Sequence, residues 1–399
     1  MPWRKRDFAP SLLILSIVLV GAAWTAIDAR RALQTSARVE TIPTRGNIAP
    51  EQPRRVLVVF NAQSPESRTL AENYADARNI PRTNLLPLAC PMTEECLRAE
   101  YESAILPYIR ERVSNDPEIA YIVLMRGVPF RFSDWGNFGG FSVDSVLTTC
   151  LMTLPPPAAP NAPLSGMTAP QPMRRLRNPY FGSNERFDRE RWGGMLLVCR
   201  LDGPTNPDAF RPVESGLNAK PVRGPFYLRD SFCMSMCGGK DMLQGKSLET
   251  EYVTPANNPL APLYQGEGGP YMAHWGAGPH DTQYSDAKFA KLRFLPGGIC
   301  DLTWSLSAQG LRKPTAKAGI NLLTAYAGAA GAHGFVSEPY CDAISHSEIV
   351  LDRYTHGYNL AESFYMGSPY LHWKDVVLGD PLCAPYADTA KPSVIAAKR

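Results

Sequence analysis

Apolar runs recur along this chain at two spacings, and their order predicts its architecture. Arg55 to Phe60 (RVLVVF) is an unbroken β-branched and apolar run ending in Asn61-Ala62-Gln63-Ser64-Pro65, the pattern of a strand buried on both faces and followed by a turn. Ser67 to Asn79 carries Leu70, Tyr74 and Ala77 at helical spacing, and Ile80-Pro81 stops it. Leu85 to Leu88 predicts a second strand. Thr93 to Arg112 predicts a helix with Leu97, Tyr101, Ile105 and Tyr108 on one stripe. Ile119 to Met125 is a third strand, ending in Arg126-Gly127-Val128-Pro129, and Met195 to Cys199 a fourth, ending in Arg200-Leu201-Asp202-Gly203. Beyond these come strands at Pro270 to Trp275, Gly298 to Ser305 and Ala332 to Ser337, and helices at Pro314 to Ala327, Ser345 to Thr355 and Asn359 to Met366. A last strand, Val376 to Leu378, leads into Gly379-Asp380-Pro381-Leu382. Strands alternating with helices predict an α/β fold: a mainly parallel sheet with helices on both faces, built by right-handed crossovers and carrying loop insertions.

The first residues break this rhythm. Arg4, Lys5 and Arg6 precede an apolar run from Ser11 to Ile27, followed by Asp28, Arg30 and Arg31, the layout of a signal peptide or an uncleaved membrane anchor. The expected organisation is a signal or anchor over residues 1–31, a proline-punctuated tether over 32–53, an α/β domain over 54–388 and a short tail over 389–399. Residues 154–173 form a proline-rich insertion within that domain. Basic residues ahead of the apolar run favour a cytoplasmic N-terminus and a periplasmic or otherwise extracytoplasmic domain, held at the membrane if the segment is retained.

Composition narrows the function classes. The 44% hydrophobic content of 399 residues supports one large core, and 31 Gly with 37 Pro suit many surface loops. Lys and Arg total 41 against 38 Asp and Glu, a net +3 dispersed along the chain, which gives no surface for nucleic acid. Nine cysteines leave at least one unpaired. An oxidising compartment permits pairs such as Cys233 with Cys237 or Cys90 with Cys96, while Cys199 and Cys300 sit in strand-like runs as small core residues.

Candidate chemistry lies at the strand ends. In open parallel sheets ligands gather beyond the carboxyl ends of the strands, where loops present side chains without interrupting the ladder. Those ends offer Asn61 and Ser64, Arg126, Arg200 and Asp202, His274, Ser305 and Ser307, and Glu338; Asp144 lies in Ser142-Val143-Asp144-Ser145, where it or Ser142 can cap a helix. His274, followed by Trp275-Gly276-Ala277-Gly278, suits a general base. His274 and His280 alone make a poor zinc site, and no phosphate loop, HExxH, GxSxG or GxGxxG follows a strand, so neither metal nor cofactor is expected.

From Arg55 to Tyr386 the chain resembles a broadly distributed, uncharacterised family of exported bacterial proteins. The matching segments are Val59-Phe60-Asn61-Ala62-Gln63-Ser64-Pro65-Glu66-Ser67, Arg126-Gly127-Val128-Pro129, Ser142-Val143-Asp144-Ser145, Asn178-Pro179-Tyr180-Phe181, Arg200-Leu201-Asp202-Gly203, Glu338-Pro339 and Gly379-Asp380-Pro381-Leu382. More distantly, its last third is similar in layout to gingipain-type peptidases of the caspase-like superfamily. That resemblance implies a histidine after one strand, at His274, and a nucleophile at the end of the next. There Ser305 or Ser307 stands in place of cysteine, and Cys300 lies earlier. Three readings follow. One is a hydrolase with His274 as base, Ser305, Ser307 or Cys300 as nucleophile, and backbone N–H groups near Gly276 as oxyanion donors. Another is a catalytically degenerate relative that binds a peptide, glycan or envelope partner through Asp144, Arg200, Asp202 and Glu338. The third is a structural envelope protein whose polar motifs only cap helices and set turns.

Overall fold

A computed structural model describes residues 51–135, 140–154, 175–230, 234–254, 268–275, 292–303, 305–313 and 319–387. The apolar N-terminal segment, most of the tether, the insertion from 155 onward, Gly276, His280, the start of the helix expected from Pro314 and the tail lie outside these residues. Among the described residues no helix is long and apolar enough to cross a membrane.

Strands β1 (Val56–Asn61), β2 (Leu85–Leu88), β3 (Tyr121–Met125), β4 (Leu197–Leu201), β5 (Phe226–Arg229), β6 (Thr250–Val253), β7 (Gly268–Trp275), β8 (Leu292–Asp301), β9 (Gly331–Phe335) and β10 (Asp375–Gly379) join in one ten-stranded sheet. Their order is β2-β1-β3-β4-β10-β9-β8-β7-β5-β6. Neighbours are parallel throughout except β9 and β10, which are antiparallel. The sheet is therefore two parallel halves running in opposite directions. The carboxyl ends of β1, β3, β4 and β10 form one rim, and those of β5, β7, β8 and β9 form the other.

Helices cover both faces, as the alternating strands and helices predict. Val56, Val58 and Phe60 of β1 pack with Leu70 and Tyr74 of α1 (Pro65–Arg78), while Leu57 and Val59 pack on the opposite face with Tyr101 of α2 (Arg98–Ala104) and Ile109 of α3 (Leu106–Asn115). A strand apolar on both faces is thus explained by two layers, each fully buried side chain contributing about 1.5–3 kcal/mol. The helix expected over Thr93 to Arg112 is two helices. Glu95 and Cys96 first pair with Arg131 and Phe132 as a short bridge, and Pro107 has no N–H to continue a ladder through Ile105. Sequence patterning also missed α5 (Asn206–Leu217), which contains Pro212 and begins beside Pro207, both of which read as breakers. It follows a short α4 (Val143–Leu147), whose Ser142 side chain accepts from Ser145 N as the cap reading expected. Of the helix expected over Pro314 to Ala327, the described part is a turn at Gly319–Asn321 continued by a wider turn at Leu322–Tyr326.

The Gly-Asp-Pro-Leu segment is a structural corner. Gly379 has φ 141°, and a Cβ there would lie 2.4 Å from the Ala330 carbonyl oxygen. Asp380, fully buried, accepts from Tyr74 Oη at 3.1 Å, Leu382 N at 3.1 Å and Arg78 Nε at 2.8 Å, tying α1 to the end of β10.

The cysteine pairings suggested by spacing do not form, because Cys90, Cys96 and Cys237 are all free thiols. Cys341 is disulfide-bonded. Among the free thiols Cys237, at the start of α6 (Cys237–Gly245), is exposed, whereas Cys90, Cys96, Cys150, Cys199, Cys300 and Cys383 are buried. Burial pushes the Cys300 thiol up, so iodoacetamide should modify Cys237 in the native protein and reach Cys300 only on unfolding. Peptide mapping of timed reactions checks this, and early alkylation of Cys300 would contradict its place in the core.

Candidate functional site

The antiparallel junction separates the residues that sequence reasoning had gathered into one cleft. Asn61, Ser64, Arg126, Arg200 and Asp202 belong to the first rim. His274 lies near the end of β7, and Ser305, Ser307 and Glu338 follow strands of the second half, so the strand ends expected to share one cleft fall on two opposite rims of the sheet.

On the first rim, protein groups engage the polar side chains. Asn61 Nδ2 donates to the carbonyls of Cys90 at 2.8 Å and Gly127 at 2.9 Å, and its Oδ1 accepts from Gln63 N at 3.0 Å. Ser64 caps α1, accepting from Ser67 N at 3.1 Å. Arg126 donates to the carbonyls of Gly203 at 3.0 Å and Pro204 at 3.1 Å. Arg200, with no exposed surface, reaches Asp144 through Nη2 at 2.7 Å and Nε at 3.0 Å, and Asp202 through Nη1 at 3.1 Å. It also donates to the carbonyls of Val128 and Pro129, both at 2.9 Å. Arg312 completes the network on Asp202 at 3.2 Å. Burial pushes the Asp144 carboxyl up while Arg200 pulls it down. Asp144, Arg200 and Asp202 therefore do converge, as an internal brace.

On the second rim, His274 and Cys300 are register partners on adjacent parallel strands, and both belong to the same face. His274 lies almost fully buried, stacked on Tyr227 with ring centroids 4.7 Å apart. Burial, reinforced by the Arg229 charge, brings its pKa down to about 3. Cys300 Sγ points to the Gly331 carbonyl oxygen at 3.7 Å. Ser307, fully buried, accepts from Phe335 N at 3.0 Å. Ser305 donates to Glu338 Oε2 at 2.5 Å, and Glu338 Oε1 accepts from Tyr340 N at 2.9 Å. Neither serine ends a strand, because β8 stops at Asp301 and both lie in the turns beyond it.

Sequence reasoning missed the most strongly polarised cluster on this rim. His333, in the middle of β9, has Nδ1 2.7 Å from Asp301 Oδ2 and Nε2 3.2 Å from Asp375 Oδ1. Ser345 also donates to Asp301. Burial opposes the imidazolium, but the two carboxylates prevail and raise its pKa to about 10. Among the described residues Asp301 Oδ1 and Asp375 Oδ2 meet no hydrogen-bond donor. The signal available in the sequence was a histidine at the centre of an otherwise small and apolar strand, Gly331-Ala332-His333-Gly334-Phe335. Lys374, just before β10, donates to the Glu338 carbonyl oxygen at 2.7 Å, and burial lowers its pKa to about 8. Among the described residues no group of three or more His, Cys, Asp or Glu is arranged to hold a metal.

No family model matches this chain, and no curated protein does. Among solved structures, one titled "Structure of Protease" aligns with 84% of this chain and 79% of its own, at a TM-score of 0.46 and 10% identity.

Proposed function

We propose that this is an exported α/β protein of a non-classical gingipain-like kind, which holds an envelope ligand, peptide or glycan, at the second rim without histidine-dependent nucleophilic chemistry. One observation carries the reading: each of the three candidate nucleophiles is bonded to a group other than His274, namely Ser305 to Glu338, Ser307 to Phe335 N and Cys300 to the Gly331 carbonyl. A general base must reach the proton it removes and be basic enough to accept it at working pH, and a His274 whose pKa is lowered to about 3 accepts a proton only weakly. The ligand-facing candidates are instead Ser305 and Glu338, both half-buried on this rim. Export is supported by the basic-then-apolar N-terminal sequence and by the disulfide at Cys341, a bond that oxidising compartments preserve. The same N-terminal segment supplies the membrane attachment if it is retained.

An active histidine-dependent peptidase is the second reading, favoured by the register pairing of His274 with Cys300. Broad serine- and cysteine-directed electrophiles separate the two. Labelling of the full-length chain should be the same in wild type and His274→Ala. Loss of a labelled residue 300, 305 or 307 in that variant would overturn the proposal in favour of the peptidase.

A further inference from the structure

The turn after β8 and the turn after β9 carry two strained non-glycine residues. Leu306 has φ 68° and Tyr340 has φ 66°, left-handed conformations that persist only where surrounding contacts enforce them. They flank one contact: Leu306 directly follows Ser305, and Tyr340 donates its backbone N–H to Glu338, the residue that Ser305 meets. Ser305 and Glu338 are only half-buried, unlike Ser307 and Cys300. A hydroxyl and a carboxylate thus meet between these two turns at a half-buried position of the second rim.

From this geometry we propose that Ser305 and Glu338 form a histidine-independent acyl-transfer site, with Ser305 as nucleophile and Glu338 as its general base, acting on a carboxylic ester or amide. The inference rests on the reading that the second rim is the working site, and it names the bond attacked there. Glu338 is prepared for the role because Tyr340 N holds Oε1 and leaves Oε2 on the serine hydroxyl. Lys374 donates to the Glu338 carbonyl oxygen at 2.7 Å. The backbone N–H of Leu306, a half-buried residue next in the chain after the nucleophile, donates to no protein acceptor among the described residues and is the nearest donor in sequence for an oxyanion.

The step balances without any cofactor. Ser305 Oγ bonds to the acyl carbon as its proton passes to Glu338 Oε2, and the carbonyl π pair moves onto oxygen. Collapse of that adduct breaks the bond to the leaving alcohol or amine, which takes the proton back from Glu338. Water then attacks the acyl-serine with the same carboxylate as base, releasing the carboxylic acid and restoring the hydroxyl.

The test is labelling of the full-length chain with a fluorophosphonate, read by intact mass and peptide mapping, in wild type, Ser305→Ala, Glu338→Gln, Glu338→Asp and His274→Ala. The expected result is a single adduct on Ser305, absent in Ser305→Ala, slowed at least about 100-fold in Glu338→Gln, partly retained in Glu338→Asp and unchanged in His274→Ala. Circular dichroism on each variant separates lost chemistry from lost folding, and Glu338→Asp keeps the test decisive if Glu338→Gln unfolds. A folded wild type with no adduct on Ser305, or labelling at Ser305 equally fast in a folded Glu338 variant, would overturn the acyl-transfer site while leaving ligand binding at this rim standing. An adduct at residue 300 or 307 that requires His274 would overturn both.

Discussion

Arg200→Met should lower the free energy of unfolding by about 3–5 kcal/mol, the cost of removing one member of a buried ion network and leaving its partners uncompensated. The expectation follows from burial: Arg200, Asp144 and Asp202 are all essentially without solvent contact. The guanidinium satisfies both carboxylates and the carbonyls of Val128 and Pro129 at once. Methionine keeps most of the volume and none of the donors, so two carboxylates and two carbonyls lose a donor together. Arg312 remains on Asp202 and limits the loss there, which makes Asp144 the residue left most exposed to the missing charge. Guanidinium-chloride unfolding of the folded domain measures the effect. In the double variant Arg200→Met with Asp144→Leu the orphaned carboxylate is gone, and stability should recover part of the single-variant loss. A change below about 1 kcal/mol for Arg200→Met would mean that water reaches these charges, and the Arg-Leu-Asp-Gly segment would again be open to a role in binding.

That segment illustrates how far the sequence could be read. Arg200 and Asp202 sit at the end of an apolar run, where a ligand anchor and an internal brace have the same one-dimensional pattern. Burial and the reach of Asp144 from another element distinguish them, and neither is local information. Strands β1, β3 and β4 were legible because two-sided burial demands unbroken apolar runs. The halves of the sheet were not. Whether β10 enters parallel or antiparallel to β9 depends on how α7 (Ser347–Thr355) and α8 (Leu360–Gly367) route the chain between them, and periodicity within a strand is the same in either direction. That one pairing decides which polar strand ends share a rim. It separates Asn61 and Arg126 from Glu338, and it leaves Ser305 and Glu338 together. Residues 203–269 were read least well: β5 and β6 are four residues each, and prolines mask α5.

His333→Gln should make the protein less stable at neutral pH and should change how stability depends on pH, with the effect confined to the alkaline side. His333 has its pKa raised to about 10 from an ordinary value of 6.5. The folded state therefore holds a proton that the unfolded state releases between those values. The stabilisation is fully present below pH 6.5 and is lost as pH rises through about 10, with a limiting slope of about 1.4 kcal/mol per pH unit. His274 behaves in the opposite sense. Its pKa is lowered to about 3, so protons bind the unfolded state first, and stability falls as pH drops from 6.5 towards 3. Lys374, lowered to about 8, opposes the His333 slope above that pH because its unfolded form keeps the proton longer. The clean readout is the difference between wild type and His333→Gln measured by urea unfolding across pH 6 to about 10, in which the Lys374 contribution cancels. At pH 6 to 7 wild type should lead by about 3–5 kcal/mol, because glutamine leaves Asp301 and Asp375 without their shared cation. That lead should shrink steadily with rising pH. A lead that stays constant would mean that His333 is neutral between its carboxylates, and that the proton of this buried triad resides on Asp375, whose carboxyl burial already pushes up.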